Sequence, residues 1–294
     1  MKNLRKIVSM LMIAALICLC LIGCQKSAET SGDSSASSSD EVTIEGIKKE
    51  GVLHVVTEVA FEPFEYYDTD GTTVIGYGKD ILDYIVADLG VTLDQQDLPW
   101  QGCLPALEAN KCDLLATSVT CTKERSEKYS LTLPIADSTV VLIKRADDDS
   151  IKTIDDMEGK IVGCQNGSGQ CEALEKYNEK VKAAGKTGYG EEKLYTSFPE
   201  AYLELKNGVI DLVAQSVSNA NVLVKNNPGV YEIVGEIGDK TYFTWALRKD
   251  ETELTDFIND EIRKMKENGK LAELQEKWFG VATDLPEEGY VPES

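Results

Sequence analysis

The chain is poor in histidine and in positive charge. His54 is the single histidine among 294 residues. No Cys or His spacing resembles a zinc site and no nucleophile–base pair is visible, so neither a metal nor another cofactor is expected. His54 alternates within the apolar run Val52-Leu53-His54-Val55-Val56 and reads as structural. Lys and Arg number 30 against 51 Asp and Glu, a net charge of -21, which leaves no basic face for a nucleic acid. Beyond the N-terminus no segment is apolar enough to span a bilayer. The hydrophobic fraction, 42%, is enough for a full core in one large domain or two of medium size.

The exception is Met1 to Cys24. Lys2, Arg5 and Lys6 make a charged start, and Ile7 to Ile22 is almost unbroken apolar sequence. Its end, Leu21-Ile22-Gly23-Cys24, resembles a bacterial lipobox. That resemblance implies a signal peptide over 1–23 and lipidation of Cys24, with a plain transmembrane anchor as the alternative. Either way the body of the protein is expected on the extracytoplasmic face of the cell membrane. Residues 24–40 are mostly Ser, Ala, Gly, Thr, Asp and Glu, which bury no apolar surface and read as a disordered tether of roughly 50 Å when stretched.

Of eight cysteines, Cys18 and Cys20 leave with the leader and Cys24 carries lipid. Cys103, Cys112, Cys121, Cys164 and Cys171 remain, an odd number. Cys164 and Cys171 flank a glycine loop and could pair, with two small buried thiols the favoured reading.

Taken in order, the chain alternates strand and helix. A short helix over Val42–Glu50 is expected to stop at Gly51, followed by a strand over Val52–Thr57, a loop with Phe61 and Phe64, and a hairpin around Asp70-Gly71. Ile81, Leu82, Ile85, Val86 and Leu89 have helical spacing up to Gly90. A strand from Val91, a helix over 101–110 and a strand from Asp113 follow. This pattern predicts a parallel sheet with ligands at the strands' carboxyl ends. A second unit has a strand over 160–164, the loop Gln165-Asn166-Gly167-Ser168-Gly169-Gln170, a helix over 171–183, a helix over 199–206 and a strand over 210–214. A strand over 241–247 and one long helix over 254–279 complete it.

The stretch Ala116-Thr117-Ser118-Val119-Thr120-Cys121-Thr122-Lys123-Glu124-Arg125 carries the chemistry. An apolar strand runs into hydroxyls, Thr122 reads as an N-cap, and Arg125 follows in the first turn. Hydroxyls, helix-start amides and a guanidinium in one small volume suit a carboxylate. The alternative is an ordinary capped helix with a surface arginine. An echo recurs later: Leu107 to Thr120 lines up with Leu205 to Ser218, pairing Asp113 with Asp211 and Ser118 with Ser216. Two such units describe two lobes with a cleft between them.

Together these motifs resemble the extracellular solute-binding proteins of family 3, the amino-acid receptors of ABC importers. The resemblance rests on Phe61-Glu62-Pro63-Phe64-Glu65-Tyr66, on Trp100-Gln101-Gly102-Cys103-Leu104-Pro105, on Thr120 to Arg125, on Lys160-Ile161-Val162-Gly163 and on Lys277-Trp278-Phe279-Gly280. It implies a two-lobe α/β periplasmic-binding-protein-like fold of type II with two hinge crossovers. The first lobe is expected over 41–143 and 242–294, the second over 144–241. It also implies that Arg125 grips a carboxylate with the Thr120 amide, and that Phe61 and Trp100 sandwich the ligand's aliphatic part. Thr117, Ser118, Gln165, Ser168 and Gly169 would supply polar contacts. Two positions depart from the family: Ser216 stands where an Asp usually meets the ammonium, and Gly169 where a Thr is usual. Glu58 is then the candidate to receive an ammonium, unless the ligand is not an ordinary amino acid.

The expected function is therefore a lipid-anchored, monomeric binding protein that delivers a small carboxylate-bearing solute, an amino acid or a derivative, to an ABC permease. The alternatives are a dehydratase-like enzyme on the same fold, with Glu58 as acid or base, and an extracellular ligand sensor.

Overall fold

The computed structural model describes residues 42–249 and 251–287, so the leader, the lipidation site at Cys24 and the tether lie outside the described residues. Local signals place most elements within one to three residues of their sequence expectation. Thr43 caps helix α1 (Ile44–Glu50) and Gly51 ends it. The strand β1 (Val52–Thr57) follows, then the hairpin β2 (Tyr66–Tyr67) and β3 (Val74–Ile75), and helix α2 (Tyr77–Leu89). Next come β4 (Thr92–Asp97), α3 (Trp100–Glu108), β5 (Leu114–Thr120) and the six-residue α4 (Lys123–Lys128). Two short strands, β6 (Tyr129–Leu131) and β7 (Ala136–Asp137), precede the crossover to β8 (Val140–Arg145).

The second unit comprises β9 (Ile161–Gln165), α5 (Gly169–Ala183), β10 (Glu191–Tyr195), α6 (Phe198–Lys206), β11 (Leu212–Ser216), α7 (Val217–Asn226) and β12 (Tyr231–Ile237). The chain returns through β13 (Tyr242–Arg248) to α8 (Thr252–Glu267) and α9 (Lys270–Phe279). The single long helix expected over 254–279 is two helices. Gly269 adopts φ 79°, a left-handed conformation that costs a glycine little and breaks the helical ladder. Elements α7 and β12 had no sequence expectation.

The sheets share one plan. The first has the order β4-β1-β5-β13-β6, with β7 also on β13; the second has the order β10-β9-β11-β8-β12. In each, three strands run parallel and the crossing strand adds antiparallel, so the expected parallel sheet holds for the first three strands of each lobe. The sequence echo has a structural basis. Asp113 accepts from the His54 amide at 3.0 Å and donates its own amide to the His54 carbonyl at 2.9 Å. Asp211 does the same to Ile161, at 2.8 and 2.9 Å, so each aspartate pins the start of a central strand.

The two crossovers are Ser138–Thr139 and the 238–241 segment, joined by the Ser138 amide donating to the Thr241 carbonyl at 2.9 Å. The boundary expected at 143/144 falls inside β8, whose ladder bonds all go to β11 and β12 in the second sheet. Apolar side chains fill both faces of each sheet. Leu53, Val55 and Leu114 meet Ile81, Ile85 and Trp245 on one side of the first sheet, while Val56, Leu115 and Val119 meet Cys103 and Leu107 on the other. Each such side chain contributes about 1.5–3 kcal/mol by leaving water. His54 holds Asp94 and Glu50 at 2.9 and 3.0 Å, a structural role as expected.

Candidate functional site

Both sheets point their parallel strand ends into one cleft. From the first lobe, the C-terminal half of β5 supplies Thr117, Ser118 and Thr120. The Ser118 Oγ is buried and has no hydrogen-bond partner among the described residues. Thr122 caps α4 by accepting from the Arg125 amide at 3.3 Å, so that amide is used and Arg125 contributes its guanidinium. The guanidinium is buried, lies 5.3 Å from the Trp100 ring, and donates to the Thr120 and Gly167 carbonyls, each at 3.1 Å. Its Nη2 also meets the Glu172 carboxylate at 2.9 Å. Burial holds its pKa below the usual arginine value, with Glu172 opposing that shift.

Glu58 follows β1 and is 5% exposed. Gln165, the last residue of β9, donates to it from Nε2 at 2.6 Å across the cleft. Desolvation pushes the Glu58 carboxyl up to about 7, partly offset by the Gln165 and Trp100 hydrogen bonds to its charged form. Phe61 packs beside Phe198 with ring centroids 5.5 Å apart. Trp100 faces Arg125 and donates from Nε1 to the Gly167 carbonyl at 2.9 Å.

The glycine loop brings Gln165, Ser168, Gly169 and Gln170 from the second lobe. Ser168 caps α5, accepting from the Cys171 amide at 3.2 Å. A Cβ on Gly169 would lie 2.5 Å from the Thr120 Cβ, so the bare backbone is what lets the lobes approach here. Cys164 and Cys171 form a disulfide, correcting the favoured reading of two thiols. Their seven-residue separation spans a tight loop between strand and helix, which brings their Cα atoms to 5.5 Å. Cys103, Cys112 and Cys121 are buried and not disulfide-bonded.

Ten of the eleven candidate contact residues therefore line one cleft: Glu58, Phe61, Trp100, Thr117, Ser118, Thr120, Arg125, Gln165, Ser168 and Gly169. The cleft is nearly closed, leaving about 10 Å³ between its facing walls. Ser216 is the exception. It is fully buried, caps α7 by accepting from the Asn219 amide at 3.3 Å, and is absent from the lining. Gln170 and Phe198 complete the lining and were missed by sequence reasoning. Gln170 closes the glycine loop and was within reach of that reasoning. Phe198 starts a helix far along the chain and carried no local signal.

Two α/β lobes joined by two crossovers, with a polar and aromatic cleft at the facing strand ends, define a two-lobe binding-protein fold of type II. The chain belongs to the bacterial extracellular solute-binding proteins, family 3, whose model matches residues 53–281. It is 30% identical over 262 residues to the L-cystine-binding protein TcyJ of Escherichia coli K12, covering 89% of this chain and 95% of that one. Among solved structures it resembles an ancestral arginine-binding protein bound to arginine, at 33% identity and TM-score 0.70, covering 78% of this chain and 99% of that one. It also resembles the ancestral amino acid-binding protein AncCDT-1, a precursor of cyclohexadienyl dehydratase, at 26% identity and TM-score 0.72, covering 80% and 99%. Its relatives include amino-acid-binding proteins of ABC transporters. No helix among the described residues is long and apolar enough to cross a membrane.

Proposed function

We propose that this protein is a lipid-anchored, extracytoplasmic binding protein that closes on a small carboxylate-bearing solute, an amino acid or a derivative, and hands it to an ABC permease. The observation that carries this reading is the buried Arg125 guanidinium in a cleft lined by hydroxyls and closed by two aromatic rings. Glu172 takes one Nη2 hydrogen of that cation, and the N–H groups left over, on Nε and Nη1, suit a carboxylate. Ser118 Oγ and Thr117 offer hydroxyls beside it, and Phe61, Trp100 and Phe198 offer apolar faces. Ser168 and Gly169 bring the second lobe to the same solute, which gives the closed state the differential affinity that closure requires. The lobes divide at the two crossovers, and the protein works as a monomer. The lipobox-like Leu21-Ile22-Gly23-Cys24 and the tether after it support attachment through Cys24.

A dehydratase-like activity is the second reading, favoured by Glu58 with a pKa of about 7 and by the likeness to AncCDT-1. Binding is preferred because Glu58 is the lone strong acid–base candidate among the lining residues. The test is calorimetry and product analysis on a panel of amino acids and plain carboxylates. Tight binding without turnover is expected, with Arg125→Ala losing about 2–5 kcal/mol of affinity while each lobe stays folded by circular dichroism. Equal affinity in Arg125→Ala would remove the guanidinium from the site, and turnover would favour the enzyme.

A further inference from the structure

We infer that the cleft is selective for solutes carrying one carboxylate and at most one cationic group, and that it discriminates against dibasic and double-zwitterionic amino acids. This rests on the reading of the cleft as the solute site and deepens it.

The charge inventory of the lining carries the inference. Among the side chains that line the cleft, Arg125 is the one cation and Glu58 the one acid; the rest are hydroxyls, amides, a glycine and aromatics. Glu172, whose side chain is 35% exposed, lines a surface groove with Thr122 and Lys123 instead.

Consider the anion first. A guanidinium has five N–H donors. On Arg125, both Nη2 hydrogens are committed, to Gly167 and Glu172, and one Nη1 hydrogen to Thr120. What is left, one hydrogen on Nε and one on Nη1, serves at most a single carboxylate. A second carboxylate on the same solute would meet no other cation in the lining.

Now the cation. One ammonium or guanidinium can face Glu58, whose carboxyl ionises to meet it. A second would find no acid, only aromatic faces and neutral acceptors such as the unpartnered Ser118 Oγ and the Thr117 hydroxyl. A hydroxyl does not replace the hydration of a buried cation. Arginine and lysine bring two cations for one carboxylate, and cystine brings two of each. All three exceed the inventory, even though cystine and arginine are the solutes named for relatives of this chain.

The experiment is calorimetry on the full chain at neutral pH with alanine, serine, glutamine, lactate, arginine, lysine and cystine. The tightest solute is expected to be one with a single carboxylate and no more than one cation. Arginine, lysine and cystine are expected at least about 100-fold weaker. Ser118→Asp, which adds a second acid to the lining, is expected to narrow the gap between arginine and alanine by about tenfold or more, its folding being checked by melting. Arginine, lysine or cystine as the tightest wild-type solute would overturn the charge rule while leaving the carboxylate site standing, provided that Arg125→Ala abolishes the binding. Failure of every carboxylate to bind would overturn the reading of the cleft itself.

Discussion

Arg125 in the first lobe and Glu172 in the second are 2.9 Å apart, an ion pair that exists only while the lobes are together. The arginine is buried and the glutamate partly exposed, so the pair is screened on one side only. Glu172→Gln should weaken closure by roughly 1–2 kcal/mol and leave each lobe folded. Small-angle scattering of the protein without added solute should show a larger radius of gyration for the variant. An identical profile would assign the pair no part in closure.

Gly169 faces Thr120 across the same cleft, with no room for a methyl group. Gly169→Ala should hold the lobes on the order of 1 Å apart, the shift that brings a carbon pair from 2.5 Å to ordinary contact. Affinity for the best-bound solute should then fall about tenfold, because contacts from the two lobes no longer tighten together. The melting temperature should hardly move. An unchanged affinity would mean that Thr120 turns aside freely.

Glu58 gives a pH signature. Its folded pKa of about 7 lies above the ordinary glutamate value of 4.5, so its protonated form is favoured by folding. The associated stability is full below pH 4.5 and is lost as pH rises through 7, by about 3 kcal/mol in total. Glu58→Gln should therefore gain on wild type between pH 4.5 and 8 when both are unfolded in urea. Glu65 is raised first by desolvation and then by the Glu58 charge, so Glu58→Gln also relieves part of the Glu65 shift and the difference reports on the pair. Parallel pH profiles would show that Glu58 is not desolvated.

The Cys164–Cys171 disulfide brackets the loop that brings four residues to the cleft. Replacing both cysteines with serine should cost about 2 kcal/mol of stability, as for a short closed loop. Solute affinity should fall with it, since Gly167, held within that loop, accepts from both Trp100 and Arg125. A variant equal to wild type in both measurements would make the bond incidental.

What the sequence determined by itself is what neighbouring residues decide among themselves. The Thr122 cap, the helix stop at Gly90, the strand into Ser118 and the Asp113–Asp211 echo are local rules of capping, hydrogen bonding and apolar period, and they were legible. Family resemblance extended this to the cleft residues of both lobes. Tertiary structure decided what depends on distance between remote segments. Ser216 caps a helix instead of facing the cleft, because the buried start of α7 takes up its hydroxyl. Phe198 and Glu172 enter beside Phe61 and Arg125 only when the two sheets close. Gly169 is small because Thr120, some fifty positions earlier in the chain, comes against it. No local pattern encodes such a meeting: a contact between lobes is fixed by how two sheets and two crossovers pack, and side chains far apart in the chain share that space only once the fold has formed.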